Sequence, residues 1–315
     1  MRILAVQLKI GSRDLNLNTY RYHIEDIFRR SQPGDFLIFP EETGLPMSLG
    51  HVIDKFGIEI DETADGGEFP KSSDAGTFRS IFLSVGEETR NSFLSFFSEM
   101  SRKYQVYALA CGNIPEETET PRIYNTAYVF DTMGNVVFKQ RKVYLTDLER
   151  NIGIDSGSMD DVRPFQLEGI KFGIAISLDA FMPDYISRLY ESRVILQPDA
   201  NDVKWNSFLE NGRWQPEEWM DSSYYIAQRI PGVDYAVNPM MIGGFMGINF
   251  EGESAIIKKA MGTDERLSYV GNVPTTGFQD MIAPEGFDPH EFQRREDLVG
   301  LDLKLPEGVI SVDIR

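Results

Sequence analysis

The segment Phe172-Gly-Ile-Ala-Ile-Ser-Leu-Asp-Ala-Phe-Met-Pro-Asp184 constrains the fold more than any other part of this chain. Phe172 to Ile176 reads as a buried strand, because no polar side chain interrupts the run. The run stops abruptly at Ser177, Asp179 follows, and Pro183-Asp184 reads as a helix start. A buried strand handing over to a helix belongs to an α/β fold, whose strand ends present reactive side chains to a crevice. Phe36-Leu-Ile-Phe-Pro-Glu41 and Phe138-Lys-Gln-Arg-Lys142 end in the same way. The rest of the chain reads as scaffold for Glu41, Lys142 and Ser177.

The first strand is expected at residues 3 to 8. A helix follows from Asn18 to Arg30, with Tyr20, Ile24, Ile27 and Phe28 on one face. Asp54 to Arg90 is polar and poor in periodicity, and reads as a surface excursion beside the site. Phe93, Phe96, Phe97 and Met100 form a helical stripe suited to core packing. Further strands are expected at Val106 to Ala110, Ala127 to Phe130, Val136 to Phe138, Val194 to Gln197, Tyr235 to Val237, Ala255 to Ile257 and Val309 to Ile314. Strands and helices alternate without a linker-like shift in composition, which predicts one domain over residues 1 to 315. Its proline-bearing end, from about residue 264, reads as an arm.

Charge and cysteine content narrow the function classes. Asp and Glu number 49 against 31 Lys and Arg, a net charge of -18 that repels phosphate backbones and speaks against nucleic-acid binding. The single cysteine, Cys111, excludes an internal disulfide framework and sits in an apolar run as a buried structural thiol. No apolar run approaches the ~20 residues that span a bilayer, and no signal peptide precedes the first strand, so a cytoplasmic location is expected. His23, His51 and His290 fall in no ligand-spaced pattern, and Gly243-Gly244 lacks the ending of a phosphate loop and reads as a loop. Neither a metal nor an organic cofactor is implied.

Pro40 fixes the backbone before Glu41, and burial there raises a carboxylate toward general-base range. Lys142, held in a crevice, can stabilise a developing oxyanion. Glu149 is either a second carboxylate of the site or a solvated loop charge. The ordered set Ala5-Val-Gln7, Phe39-Pro-Glu41, Tyr124-Asn-Thr-Ala127, Arg141-Lys-Val-Tyr-Leu145, Gly173-Ile-Ala-Ile-Ser-Leu-Asp179 and Phe250-Glu-Gly-Glu-Ser254 resembles the nitrilase superfamily of carbon–nitrogen hydrolases. The resemblance implies a four-layer α-β-β-α sandwich, a homodimer or larger homo-oligomer, and a Glu-Lys-Cys triad. It makes Glu41 the general base, Lys142 the stabiliser of the tetrahedral intermediate, Leu178 the backbone donor of the oxyanion hole, and Glu149 an additional glutamate. The substrate implied is a small amide, nitrile or carbamoyl compound.

One departure matters. Position 177 is serine where the family has cysteine. A thiol is partly ionised near neutral pH, whereas a hydroxyl needs strong activation, so the chain is expected to be a very poor hydrolase. Three origins are compatible with that serine: a substitution made to trap a substrate, a descendant kept for binding or regulation, or a working Ser-Lys nucleophile. The rival function is accordingly a non-catalytic binding protein on the same fold. In the family's carbamoylases a histidine stands at the position of Tyr144, and arginines at those of Ala180 and Phe181 hold the substrate carboxylate, so the resemblance points to a less charged substrate. Asn201 and Trp205 complete the expected substrate contacts.

Overall fold

Each strand of the chain sorts its side chains to two faces, and those faces build four layers. The structure, a computed structural model, describes residues 1–59, 75–116, 121–259, 278–281 and 297–302. The first half runs β1 (Arg2–Ile10), α1 (Leu17–Arg29), β2 (Phe36–Ile38), α2 (Leu45–Phe56), α3 (Ala75–Ser84), α4 (Gly86–Tyr104), β3 (Tyr107–Glu116), β4 (Arg122–Phe130), β5 (Val136–Arg141) and α5 (Asp147–Ile152). The second half runs β6 (Phe165–Leu167), β7 (Ile170–Ile174), α6 (Pro183–Ser187), β8 (Val194–Leu196), α7 (Gln215–Trp219), α8 (Tyr225–Arg229), β9 (Tyr235–Asn238), β10 (Met241–Phe245), β11 (Ile248–Phe250), β12 (Ala255–Lys258), β13 (Phe278–Met281) and β14 (Asp297–Asp302).

The strands form two mixed sheets. One has the order β11-β10-β1-β2-β3-β4-β5, with β14 antiparallel to β1; the other has the order β13-β12-β9-β8-β7-β6. On β1, Leu4, Val6 and Leu8 join the helix-side core with Tyr20, Ile24 and Phe28 of α1. Ile3 and Ala5 face the other way and meet Phe172, Ile174, Val194 and Leu196 of the second sheet. The alternation follows from the two-residue repeat of a strand. Beyond the second sheet, Ala175 and Ile195 pack with Tyr185, Ile186 and Ile226 of α6 and α8. The layers therefore run helix, sheet, sheet, helix, as the sequence resemblance implies. Cys111 lies between the sheets at 0% exposure, a core thiol whose pKa burial raises well above its ordinary value.

Local signals account for the helices that the sequence predicts. Asn16 caps α1 by accepting from the Asn18 and Thr19 N–H groups, each at 3.1 Å. On α4, the Phe97 ring stands 5.4 Å from Phe39, 4.8 Å from Phe93 and 6.0 Å from Phe130. Phe97→Ala is expected to lose about 3–5 kcal/mol through the cavity it leaves, read from the urea midpoint.

The structure corrects two expectations. The stretch from Asp54 to Arg90 contains α3 and the start of α4 rather than a plain excursion, with Phe82 9% exposed. Gly243-Gly244 is strand, since β10 runs parallel to β1 and antiparallel to β11 through those residues. Of the expected arm, the described parts are β13, paired with β12, and β14, paired with β1. The strand expected at Val309 to Ile314 lies outside the described residues. Among the described residues, no helix is long and apolar enough to cross a membrane.

Candidate active site

Glu41 is presented by a short turn that follows β2. Within that turn Thr43 Oγ1 donates to the Pro40 carbonyl at 2.7 Å, and the Gly44 N–H donates to the Cys111 carbonyl at 2.8 Å. The turn lies directly on β3, and a Cβ on Gly44 would stand 3.0 Å from the Gly112 Cα and 3.2 Å from the Phe93 ring. Any side chain there would require the Gly112 backbone or the Phe93 ring to shift by a few tenths of an ångström. Lys142 follows β5, where its N–H donates to the Asn125 carbonyl at 2.8 Å. Glu149 sits in the first turn of α5 and closes a capping box with Thr146, whose N–H reaches Glu149 Oε2 at 2.8 Å.

These three residues meet in the interior. Lys142 Nζ is 2.8 Å from Glu41 Oε1 and 2.8 Å from Glu149 Oε2, and Lys142 is 1% exposed. Asn125 Nδ2 donates to Glu41 Oε1 at 2.7 Å and to Glu149 Oε1 at 3.2 Å. Burial pushes the Glu41 carboxyl above its ordinary pKa, the Lys142 charge opposes that, and the Glu149 charge adds to it. Burial works against the Lys142 ammonium, yet the two carboxylates outweigh it and hold its pKa above the ordinary value. Carboxylate oxygens of Glu41, Glu42 and Glu149 lie within 4.8 Å of one another. Such a cluster could attract a metal ion, but the Lys142 ammonium already bridges two of its three members.

Ser177 begins a 3-10 turn, Ser177–Phe181, and takes a left-handed φ of 48°. That conformation is uncommon for a residue with a Cβ and is associated with functional sites. The Ser177 N–H donates to the Pro198 carbonyl at 3.1 Å, tying the turn to the end of β8. Leu178 is the second residue of the turn, where backbone N–H groups have no acceptor inside the turn itself. Asp179 accepts from the Val143 N–H at 3.1 Å and the Tyr144 N–H at 2.8 Å, which fixes the Lys142 segment against the Ser177 turn. Burial pushes the Asp179 carboxyl up to about 8, against the lowering effect of those two N–H groups.

One cavity of about 350 Å³ reaches all four of Glu41, Lys142, Glu149 and Ser177. Among the described residues its wall also carries Glu42, Asn113, Thr146 and Asp202, set in an apolar remainder that includes Phe78, Phe82, Ile154 and Phe250. The four expected substrate contacts are absent from that wall. Tyr144 hydrogen-bonds Asp184, and the Phe181 ring packs 5.3 Å from Trp219. Asn201 Nδ2 donates to the Val203 and Glu251 carbonyls, and Trp205 is 2% exposed, 6.0 Å from Trp219.

Three residues near the site escaped the sequence reading. Asn125 bridges Glu41 and Glu149, and its place in Tyr124-Asn-Thr-Ala127 was the available signal. Asp199, 0% exposed at the end of β8, faces the Ser177 side chain; burial raises its carboxyl well above the usual range and the serine lowers it. Glu42, half-buried at a left-handed φ of 61°, accepts from Asn113 Nδ2 at 2.9 and 2.8 Å. Burial first, then the Glu41 and Glu149 charges, push the Glu42 carboxyl up to about 8.

That shift has a definite sign in stability. An unfolded glutamate loses its proton near 4.5, while folded Glu42 keeps it until about 8. The folded state therefore binds more protons in that window, and its stability falls as pH rises from 4.5 to 8. Glu42→Gln removes the titration. Relative to the native chain, the variant is expected to gain at least about 1 kcal/mol between pH 5 and pH 8 in urea denaturation. An unchanged difference across that range would remove Glu42 from the account, leaving Asp179 to explain any slope.

The four-layer sandwich thus encloses a buried Glu-Lys-Glu cluster that opens on a strand-end hydroxyl. The chain belongs to the carbon-nitrogen hydrolase family, which it matches over residues 3–229. It is 24% identical over 233 residues to an omega-amidase of Homo sapiens, covering 70% of this chain and 78% of that one. It is 29% identical over 155 residues to nitrilase homolog 2 of Dictyostelium discoideum, covering 45% of this chain. For two curated relatives the chain spans less than half the length, 47% of that protein and 41% of an omega-amidase of Saccharomyces cerevisiae. In fold it is similar to an amidase from Nesterenkonia sp. solved with acrylamide, at TM-score 0.61 and 17% identity over 96% of this chain and 90% of that one. A carbon-nitrogen hydrolase from Helicobacter pylori gives TM-score 0.61 and 15% identity over 95% and 87%.

Proposed function

We propose that this protein carries an amidase-type site that forms an acyl intermediate on residue 177, with turnover held low because that residue is serine. The convergence of Glu41, Lys142, Glu149 and Ser177 on one cavity is the observation that supports the reading. In the cysteine form, Glu41 takes the thiol proton as sulfur adds to the amide carbonyl. The Lys142 ammonium and the Leu178 N–H face the oxyanion, and Glu41 returns the proton to the departing ammonia. Water then adds to the thioester, giving its proton to Glu41, and the acid leaves with the thiol restored. In the native chain the corresponding intermediate is an ester. Omega-amidases and amidases among the relatives make a primary amide the favoured substrate, ahead of nitriles and carbamoyl compounds.

The same reading carries a single catalytic domain with a C-terminal arm, a homodimer or larger assembly, a cytoplasmic setting, and no need for a metal or organic cofactor. Its test is ammonia release from a panel of amides, nitriles and ureido acids. Ser177→Cys is expected to release ammonia, and adding Glu41→Gln should return it to background. A folded Ser177→Cys protein that turns over nothing in the panel would transfer the case to a binding role.

A further inference from the structure

Four of the described polar side chains lining the cavity are carboxylates, the Asn113 and Thr146 donors are spent on them, and its one cation is already engaged. Among the described lining residues Lys142 is the only positive side chain, and its ammonium sits 2.8 Å from two carboxylates. Glu42 and Glu149 line the cavity beside Glu41, and the solvent-exposed Asp202 adds a fourth acidic group. Asn113, 3% exposed, gives its Nδ2 to both Glu42 oxygens and so fixes that carboxyl at the cavity, while its own Oδ1 is buried. A ligand entering this space finds acceptors and negative potential, set among apolar surfaces such as Phe78, Phe82 and Ile248.

We infer that the substrate is an amide whose other end is cationic, an ammonium or guanidinium on an apolar chain, recognised by Glu42 with Asn113 and Asp202. This rests on the amidase reading and names its substrate class. A carboxylate at that end would face Glu41, Glu42, Glu149 and Asp202 without a free counter-ion among the described lining residues, so unfavourable desolvation and repulsion act together. A cation is drawn by the same field and supplies the N–H donors that the wall requires. After burial, the charges of Glu41 and Glu149 add to the raised proton affinity of Glu42, so part of that shift comes from negative potential at the carboxyl. Glu42 is then a specificity residue, placed by its left-handed backbone and its bond to Asn113.

Hexanamide and its ω-amino and ω-carboxy derivatives, matched in length, test this. In Ser177→Cys, kcat/KM is expected to favour the amino over the carboxy amide by at least about 10-fold, equivalent to about 1.4 kcal/mol. In Ser177→Cys/Glu42→Gln that ratio should fall several-fold. Equal or better use of the carboxy amide overturns the inference and leaves the hydrolase reading intact. If Ser177→Cys cleaves none of the three, the hydrolase reading fails for these amides, and calorimetry on the native chain decides the inference. Tighter binding of the amino amide, weakened by Glu42→Gln, supports it; no binding, or none that discriminates, overturns it.

Discussion

Ser177→Cys is expected to release ammonia from primary amides at least about 100-fold faster than the native chain, a barrier difference of about 2.7 kcal/mol. The argument begins with the base. Glu41 is a carboxylate raised by burial but already bonded to Lys142 and Asn125, so its proton affinity lies far below that of an alkoxide. Such a base can share a thiol proton, whose ordinary pKa is near 8.5, and takes a hydroxyl proton only at a large cost. Ser177 borders a cavity, so the larger sulfur has room, and both residues carry a Cβ at the same left-handed φ. Mass spectrometry after quenching should find an acyl adduct on the cysteine form and none on the native chain. If the native chain turns over as fast as Ser177→Cys, a serine nucleophile is at work. The buried Asp199 beside it then becomes its activating neighbour, and Asp199→Asn should abolish the native rate.

How much of this was legible follows from what kind of information each feature needs. Phe172 to Ile176, Phe36 to Phe39 and the Phe93-Phe97 stripe announce themselves by local patterning, and each is buried as expected. The strand-end placement of Glu41, Lys142 and Ser177 is equally local, because a strand that stops at a reactive residue is visible in one dimension. The cavity wall is not. Phe78 and Phe82 belong to α3, inside a stretch too polar to show its apolar face, and reach the site only through packing. Tyr144, Phe181, Asn201 and Trp205 stand at positions that the family resemblance marks, after Lys142, after Ser177 and after the strand expected at Val194 to Gln197. None of their side chains lines this cavity, and each packs or hydrogen-bonds elsewhere. Glu42 directly follows Glu41 in the sequence. Its left-handed φ, which decides where the carboxyl goes, leaves no trace in composition.

Lys142→Met is expected to cost about 3–5 kcal/mol of folding stability and to abolish ammonia release in the Ser177→Cys form. Lys142 is 1% exposed and bridges Glu41 and Glu149, which are 3% and 6% exposed. Methionine fills similar volume, so a void is not the issue; two carboxylates lose the charge that made their burial tolerable. Asn125 still donates to both, but one amide cannot replace an ammonium shared between two anions. With the lysine gone, burial holds the proton on Glu41 to higher pH than in the unfolded chain. The variant's deficit should accordingly be smaller at pH 5 than at pH 8. Glu149→Gln separates the two roles of the lysine. With one carboxylate neutralised, Lys142→Met in that background should recover part of its stability, since a single buried carboxylate remains, while activity stays lost because no cation faces the oxyanion. Activity returning along with stability would show that Lys142 serves the fold alone.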